Sequence, residues 1–272
     1  MFLFLYRKIS MFRKICSLFK CFNRKTSQTK IVSQPQYSKS PQVTTLPKKY
    51  KKRYPLITLK PSLITPKNNR ITVTPESKIR FIGIGSAGQN ILMEVANVLP
   101  EQDYLLINTN LISLRKSSFN TLHIGNSPIG CGPDPLLAQE AVKISEPQLI
   151  EAVTGQDIIV LFCGLGGGNG TGIAPEIARL AKAQGCQVLA FIVTPFYFEG
   201  NKRSRLVYFA KQELATACDI CELFNNNDLL RLADTITMES AIQTQNALII
   251  QRIKHYLGLT AKRPFHISIY KP

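Results

Sequence analysis

Gly164-Leu165-Gly166-Gly167-Gly168-Asn169-Gly170-Thr171-Gly172 follows directly on the apolar run Asp157-Ile158-Ile159-Val160-Leu161-Phe162-Cys163 and leads into Ile173-Ala174-Pro175. The apolar run predicts a strand buried on both faces. Five glycines in the seven positions from 166 to 172 do not suit the interior of a helix or strand. They predict a loop of exposed amides, a concavity for an anion, backed by the positive end of a following helix near Gly172–Gln184. A plain turn needs only one or two glycines.

A second glycine-rich junction lies upstream. Gly83-Ile84-Gly85-Ser86-Ala87-Gly88 closes the run Ile79–Ile84 and opens a helical stretch near Gln89–Leu99. Small residues there let backbone N–H groups approach a phosphate. Taken alone, this G-x-G-x-x-G also fits a dinucleotide-binding fold, which calls for an acid at the end of the second strand. The second strand here ends Asn108-Thr109-Asn110. The missing acid and the second glycine loop speak against a nicotinamide enzyme. Two strand-to-helix glycine loops in one sheet point to one ligand with several phosphates.

Working outward, β-rich and helical runs alternate from Ile79 onward. Tyr104–Asn108 reads as a strand followed by a loop. Gln187–Val193 and Ile220–Phe224 read as strands around a helix near Lys202–Ala217, and a last helix runs from about Met238 to Leu257. This predicts an α/β fold, a parallel sheet flanked by helices, over residues 76–257.

The charge lies elsewhere. Residues 1–75 carry seventeen Lys and Arg and no acid, whereas from Glu76 onward seventeen basic residues are matched by seventeen acids. The net +17 therefore belongs to the leader, and the domain has no basic excess to suggest specific nucleic-acid binding. Residues 1–25 have helical period, with Leu5, Ile9, Phe12 and Phe19 on one arc and Arg7, Arg13, Lys14 and Lys20 on the other. A basic amphipathic helix suits an anionic membrane surface. An acid-free leader also suits an organelle transit peptide or a poor signal sequence. Residues 26–75 read as a basic flexible linker and 258–272 as a short tail. The seven cysteines, including the pair Cys218 and Cys221, read as reduced core thiols.

From Ile79 to about Leu257 the chain resembles FtsZ, the bacterial relative of tubulin. Gly164–Gly172 is similar to the family signature GGGTGTG, with Asn169 for the first Thr. Gly85-Ser86-Ala87-Gly88-Gln89-Asn90 resembles GGGGxN, and Asn108-Thr109-Asn110 resembles NTD. Gly130-Cys131-Gly132-Pro133-Asp134-Pro135 resembles GLGAGxNP shortened by two residues. Pro195–Gly200 with Lys202 and Arg203 resembles PFxFEG and its basic pair, and Asn226-Asn227-Asp228-Leu229-Leu230 resembles NDKLL. The motifs stand in family order.

The resemblance implies GTP or GDP as ligand. Ser86, Ala87, Gly88, Gln89 and Asn90, with Gly166, Gly167, Gly168, Asn169, Gly170 and Thr171, would wrap the phosphates. Glu199 would take the ribose hydroxyls with Arg203 beside it, and Asn226 would bind the base. It also implies a role in cell division and filament assembly, an FtsZ-family partner, and a cytoplasmic place, at the inner membrane surface if residues 1–25 anchor it. A transit peptide would instead imply an organelle. Asn246-Ala247 stands where the family has Asn-Asp for the base, and residues 258–272 hold no acid where the family supplies carboxylates to the next subunit's nucleotide. No catalytic residue is therefore assigned. The resemblance implies a GTP-binding subunit without autonomous hydrolysis, offering one filament face because no sequence follows for a second domain. The alternative is a nucleotide-independent interaction or decoy module, or a degraded remnant, that modulates FtsZ.

Overall fold

A computed structural model describes residues 59–65, 70–231 and 236–259. The amphipathic helix expected over residues 1–25, most of the linker, and residues 260–272 lie outside the described residues. In chain order the elements are β1 (Ser62–Leu63), β2 (Ile79–Ile84), α1 (Gly85–Val98), β3 (Asp103–Asn108), α2 (Leu111–Leu114), β4 (Asn120–His123), α3 (Pro135–Ile144) and α4 (Glu146–Val153). These are followed by β5 (Ile158–Gly164), α5 (Gly168–Ala183), β6 (Gln187–Thr194), a 3-10 turn (Tyr197–Glu199), α6 (Asn201–Ala217), β7 (Ile220–Asn225), α7 (Asn226–Leu229) and α8 (Met238–Tyr256).

The sheet order is β1-β7-β6-β5-β2-β3-β4, parallel except where β1 meets β7. β1 lies at one edge; from β2 in the middle the chain winds outward through β3 and β4, then returns to β5 and winds the other way through β6 and β7. The order reverses between β2 and β5, and in open α/β sheets the crevice at such a reversal, beyond the carboxyl ends of the strands, is where ligands bind.

Period-two alternation sends neighbouring side chains of each central strand to opposite faces. In β5, Ile159, Leu161 and Cys163 enter the core under α3–α6, while Ile158, Val160 and Phe162 enter the core under α1 and α8. The second face is ordered by an aromatic row. Phe162 lies between Phe81 and Phe191, with ring centroids 6.3 and 6.0 Å apart. Both faces being buried is why the strands read as nearly unbroken apolar runs.

The helix α8 is clamped to the sheet by one buried acid. Glu222 in β7 is 1% exposed and accepts from Arg252 Nε at 2.9 and 3.0 Å and from the Tyr256 hydroxyl at 2.5 Å. Arg252 and Tyr256 stand one helical turn apart and reach the same carboxylate. The hydrogen bond donated to Glu222 pushes the Arg252 pKa up, and burial pushes the Tyr256 phenol up.

The structure differs from the sequence reading in three places. Part of the stretch read as linker is ordered on the sheet. Ile64 N donates to Cys221 O (2.9 Å), and Gln187 Nε2 donates to Thr72 O (3.1 Å) while its Oε1 accepts from Thr72 N (2.7 Å). Ile71 and Val73 pack on the aromatic face, so a few apolar residues dock a segment that composition marks as polar. The stretch between the second and third strands, read as loop, holds α2, β4, α3 and α4. Both glycine loops pass into helix four residues earlier than expected, at Gly85 and Gly168.

Candidate functional site

The carboxyl ends of β2 and β5 lie side by side, and α1 and α5 begin there. Every helix start leaves N–H groups without intrahelical partners. Asn110, Asp134, Asn225 and Thr237 cap α2, α3, α7 and α8 with their side chains. Neither α1 nor α5 has a side-chain cap or an acid in its first turn. Their N–H groups and partial positive charge are thus left toward one crevice, which suits an anion.

The glycine loop is shaped from within. Leu165 N donates to Val193 O (2.9 Å) and Gly166 N to Thr171 Oγ1 (2.9 Å), so these two amides turn inward. Glycine serves two purposes here. At Gly170 a Cβ would lie 2.0 Å from Gly164 O, so this glycine permits backbone contact between strand end and helix. At Gly167 a Cβ would meet no atom within 4 Å. Gly167 lies in extended conformation, φ −110°, on the wall of the crevice, and its surroundings leave room for a ligand.

The crevice has a volume of about 340 Å³, within the usual range of ligand pockets, roughly 300–1,000 Å³. Of the residues expected to form the site, it brings together Ser86, Ala87, Gly167, Gly168, Asn169, Gly170, Glu199, Arg203 and Asn226. The others stand behind the wall or away from it. Gly88 is buried against Phe162 O, Gln89 is half-buried, and Asn90 is exposed on the second turn of α1. Gly166 takes a left-handed turn at φ +86°, and Thr171 is buried as its partner.

At the far end, Glu199 Oε1 accepts from Phe196 N (2.8 Å) and its Oε2 from Arg203 Nη1 (2.5 Å). Asn226 Oδ1 accepts from Gln245 Nε2 (3.1 Å), and Gln245 is buried in α8. Gln245 was missed in the sequence, where nothing in the α8 pattern sets it apart from core. Gly132 and Pro195 also line the crevice. They fall in quoted motifs but were given no role. Asn246 is buried and Ala247 exposed, and neither is among the described residues on the wall. The five cysteines among the described residues are buried and free.

A doubly wound parallel sheet with two uncapped helix starts facing one crevice defines a Rossmann-like α/β domain arranged for an anionic ligand. Residues 78–234 match the GTPase domain of the Tubulin/FtsZ family, and the chain belongs to that family. It is 32% identical over 192 residues to Cell division protein FtsZ 1 of Pyrococcus abyssi, covering 69% of this chain and 52% of that protein. It superposes on the empty FtsZ dimer of M. jannaschii with a TM-score of 0.60 at 26% identity, over 69% of this chain and 56% of the other. Against the GTPγS-bound protofilament of CetZ2 from Haloferax volcanii the TM-score is 0.58 at 25% identity, over 66% and 58%. The chain spans about half the length of the curated relatives it matches.

Proposed function

We propose that this chain is an FtsZ-like protein that binds GTP or GDP in the crevice between β2 and β5 and acts with an FtsZ-family partner in division-associated filament assembly. One observation carries the reading. The two uncapped helix starts, the Glu199–Arg203 pair and the amide of Asn226 line a single crevice of about 340 Å³. The GTPγS-bound relative supports a guanine nucleotide as the occupant.

The proposal separates holding the nucleotide from hydrolysing it. Glu199 is the only carboxylate among the described residues on the wall, and both of its oxygens already accept hydrogen bonds. A general base for the attacking water needs a free carboxylate or imidazole within hydrogen-bond reach. Residues 258–272 contain no Asp or Glu. We therefore expect tight nucleotide binding with negligible turnover by the protein alone. Residues 1–25 would hold the chain at an anionic membrane surface on the cytoplasmic side; an organelle location follows instead if they are removed as a transit peptide.

The test is to denature the purified full chain, chromatograph the released nucleotide, and then titrate the emptied protein with GDP, GTP and ATP while following phosphate release. Guanine nucleotide carried through purification, a guanine preference and no phosphate release are expected. An empty protein that binds none of the three would favour the nucleotide-independent module.

A further inference from the structure

Asn169 lines the phosphate end of the crevice, yet its amide is turned into the protein. Its Oδ1 accepts from the Thr109 hydroxyl (2.7 Å) and the Cys131 thiol (3.0 Å), and its Nδ2 donates to Asn108 Oδ1 (2.5 Å). Backbone donors set the direction of two of these bonds, while the Thr109 hydroxyl also lies 3.3 Å from Cys131 Sγ. Asn110 N donates to Asn108 Oδ1 (3.0 Å), which makes that oxygen an acceptor and the facing atom of Asn169 its NH2. Cys131 N donates to Thr109 Oγ1 (3.0 Å), which leaves the Thr109 proton free to point at Asn169 Oδ1. Asn108 and Thr109 are 1% and 3% exposed, so these bonds form away from water.

The network ties two separate stretches to the start of α5, the end of β3 and the loop at Cys131; Asn169 also packs beside the first glycine junction, where a Cβ on Gly85 would come within 3.0 Å of the Asn169 Cβ. Asn110 extends it, accepting from Ser113 N (2.9 Å) and donating to Ile129 O (3.0 Å). Both Asn110 and Asn169 use an amide that donates and accepts at once through two different atoms; an ionised aspartate lacks the donor, and a threonine hydroxyl has one oxygen for both roles.

We propose that Asn169 is a positioning residue for the nucleotide phosphates: with Thr109, Cys131 and Asn108 it locks the glycine loop onto the end of β3, so that the free amides at the start of α5 are held in register with those of α1. This rests on the reading of the crevice as a guanine-nucleotide site. The residues that depart from the family motifs at 110 and 169 then work as one interlocked set and not as independent losses.

The experiment compares Asn169→Ala, Thr109→Val and the double variant of the full chain with the unmodified protein, titrated with GMP, GDP and GTP. Losing the lock should weaken GDP and GTP binding by about tenfold or more while GMP affinity stays within about twofold, and the two substitutions together should cost no more than the worse one alone. Asn169→Gln, which keeps both functions of the amide on a longer arm, should recover part of the loss. In the empty protein, alkylation of Cys131 should accelerate in Asn169→Ala. Equal loss for all three nucleotides, multiplying losses, or an unchanged Cys131 would overturn the proposal. If the unmodified protein binds no guanine nucleotide, that site reading fails by itself. Pyrophosphate then supplies the same comparison, and equal affinity for the unmodified and variant chains would overturn the lock. Should Asn169→Ala fail to fold, Asn169→Asp, which keeps the acceptor and loses the donor, supplies the same arms.

Discussion

Gly167 and Gly170 lie three residues apart in one loop, and the structure assigns them opposite sensitivities. The Cβ of a Gly167→Val side chain meets no protein atom within 4 Å and finds an extended backbone that suits a β-branched residue. It fills space at the mouth of the amide cradle. A phosphate that loses two charge-assisted N–H bonds, each worth about 1.5–3 kcal/mol, loses about 3–6 kcal/mol, or roughly 10²- to 10⁴-fold in affinity. Stability of the empty protein should stay level or rise by about 0.4–1 kcal/mol, because glycine is the costlier residue to order. Gly170→Ala reverses this pattern. Its Cβ would sit 2.0 Å from Gly164 O, which is backbone and cannot swing aside. Overpacking of this kind costs about 1–3 kcal/mol, partly offset by the ~1 kcal/mol that alanine gains in a helix. The assays are titration calorimetry with GDP and thermal melting without ligand. Gly167→Val should lose binding and keep its Tm, and Gly170→Ala should lose Tm. Unchanged GDP affinity in Gly167→Val would place the ligand elsewhere and refute the reasoning.

Burial holds the Tyr104 phenol up at about 12, while its hydroxyl donates to Leu99 O. The unfolded chain ionises near its ordinary 10, so this contribution is complete below pH 10 and lost as pH rises toward 12. Urea melts of Tyr104→Phe should therefore show a shallower loss of stability over that window than the unmodified chain. Replacing Glu222 with Gln should cost about 2–3 kcal/mol, somewhat less than the ~3–5 of a fully buried pair, because the Arg252 side chain is 32% exposed. Melting should register this as a fall of about 4–12 °C, and an unchanged Tm would mean that α8 is held by its apolar face alone. Burial raises the thiol pKa of Cys163 and Cys186, and the Cys218 thiol beside it raises that of Cys221. Peptide mapping after native alkylation at pH 8 should find all three unmodified, and rapid labelling of any of them would contradict the packing.

How much of this was legible in the sequence depended on where the cause of each feature lay. The strand at Ile158–Gly164 was plain because burial on both faces imposes an unbroken apolar run. The glycine loop was plain as a ligand loop, but its helix was placed four residues late. Glycine spacing does not distinguish a residue that opens space, like Gly167, from one that lets two backbones touch, like Gly170 inside α5. The helices α3 and α4 open on Pro135 and on Glu146-Pro147, and proline in the first turn, where no N–H partner is needed, leaves the helix intact. The strand β1 was hidden by its polar setting. Two residues hydrogen-bonded to a sheet edge leave no periodic trace, and only the contact with β7, more than 150 positions along the chain, makes them a strand. The locks behind the site, from Gln245 to Asn226 and from Thr109 to Asn169, are non-local in the same way.

The locks also bear on what the substitutions in the family motifs mean. A site in decay is expected to lose its ligand-facing groups and its supporting groups without correlation, leaving buried donors or acceptors unmatched at a cost of about 1–3 kcal/mol each. Among the described residues no buried side-chain nitrogen or oxygen lacks a partner. Asn169 and Asn110, each a departure from the family pattern, are the residues that complete the bonding around Asn108, Ser113 and Ile129. The side chain that could spoil the phosphate end, the half-buried amide at Asn169, is the one whose donor and acceptor are both used in the wall. Among the described helices four are capped by side chains and four are not; α1 and α5 are two of the uncapped ones, and a polar cap would stabilise an empty protein by about 1 kcal/mol at Ile84 and by only a few tenths at Gly167. Uncapped amides carried at that cost, on a frame with its polar groups satisfied, fit a crevice kept for an anionic ligand better than one left behind by a lost activity.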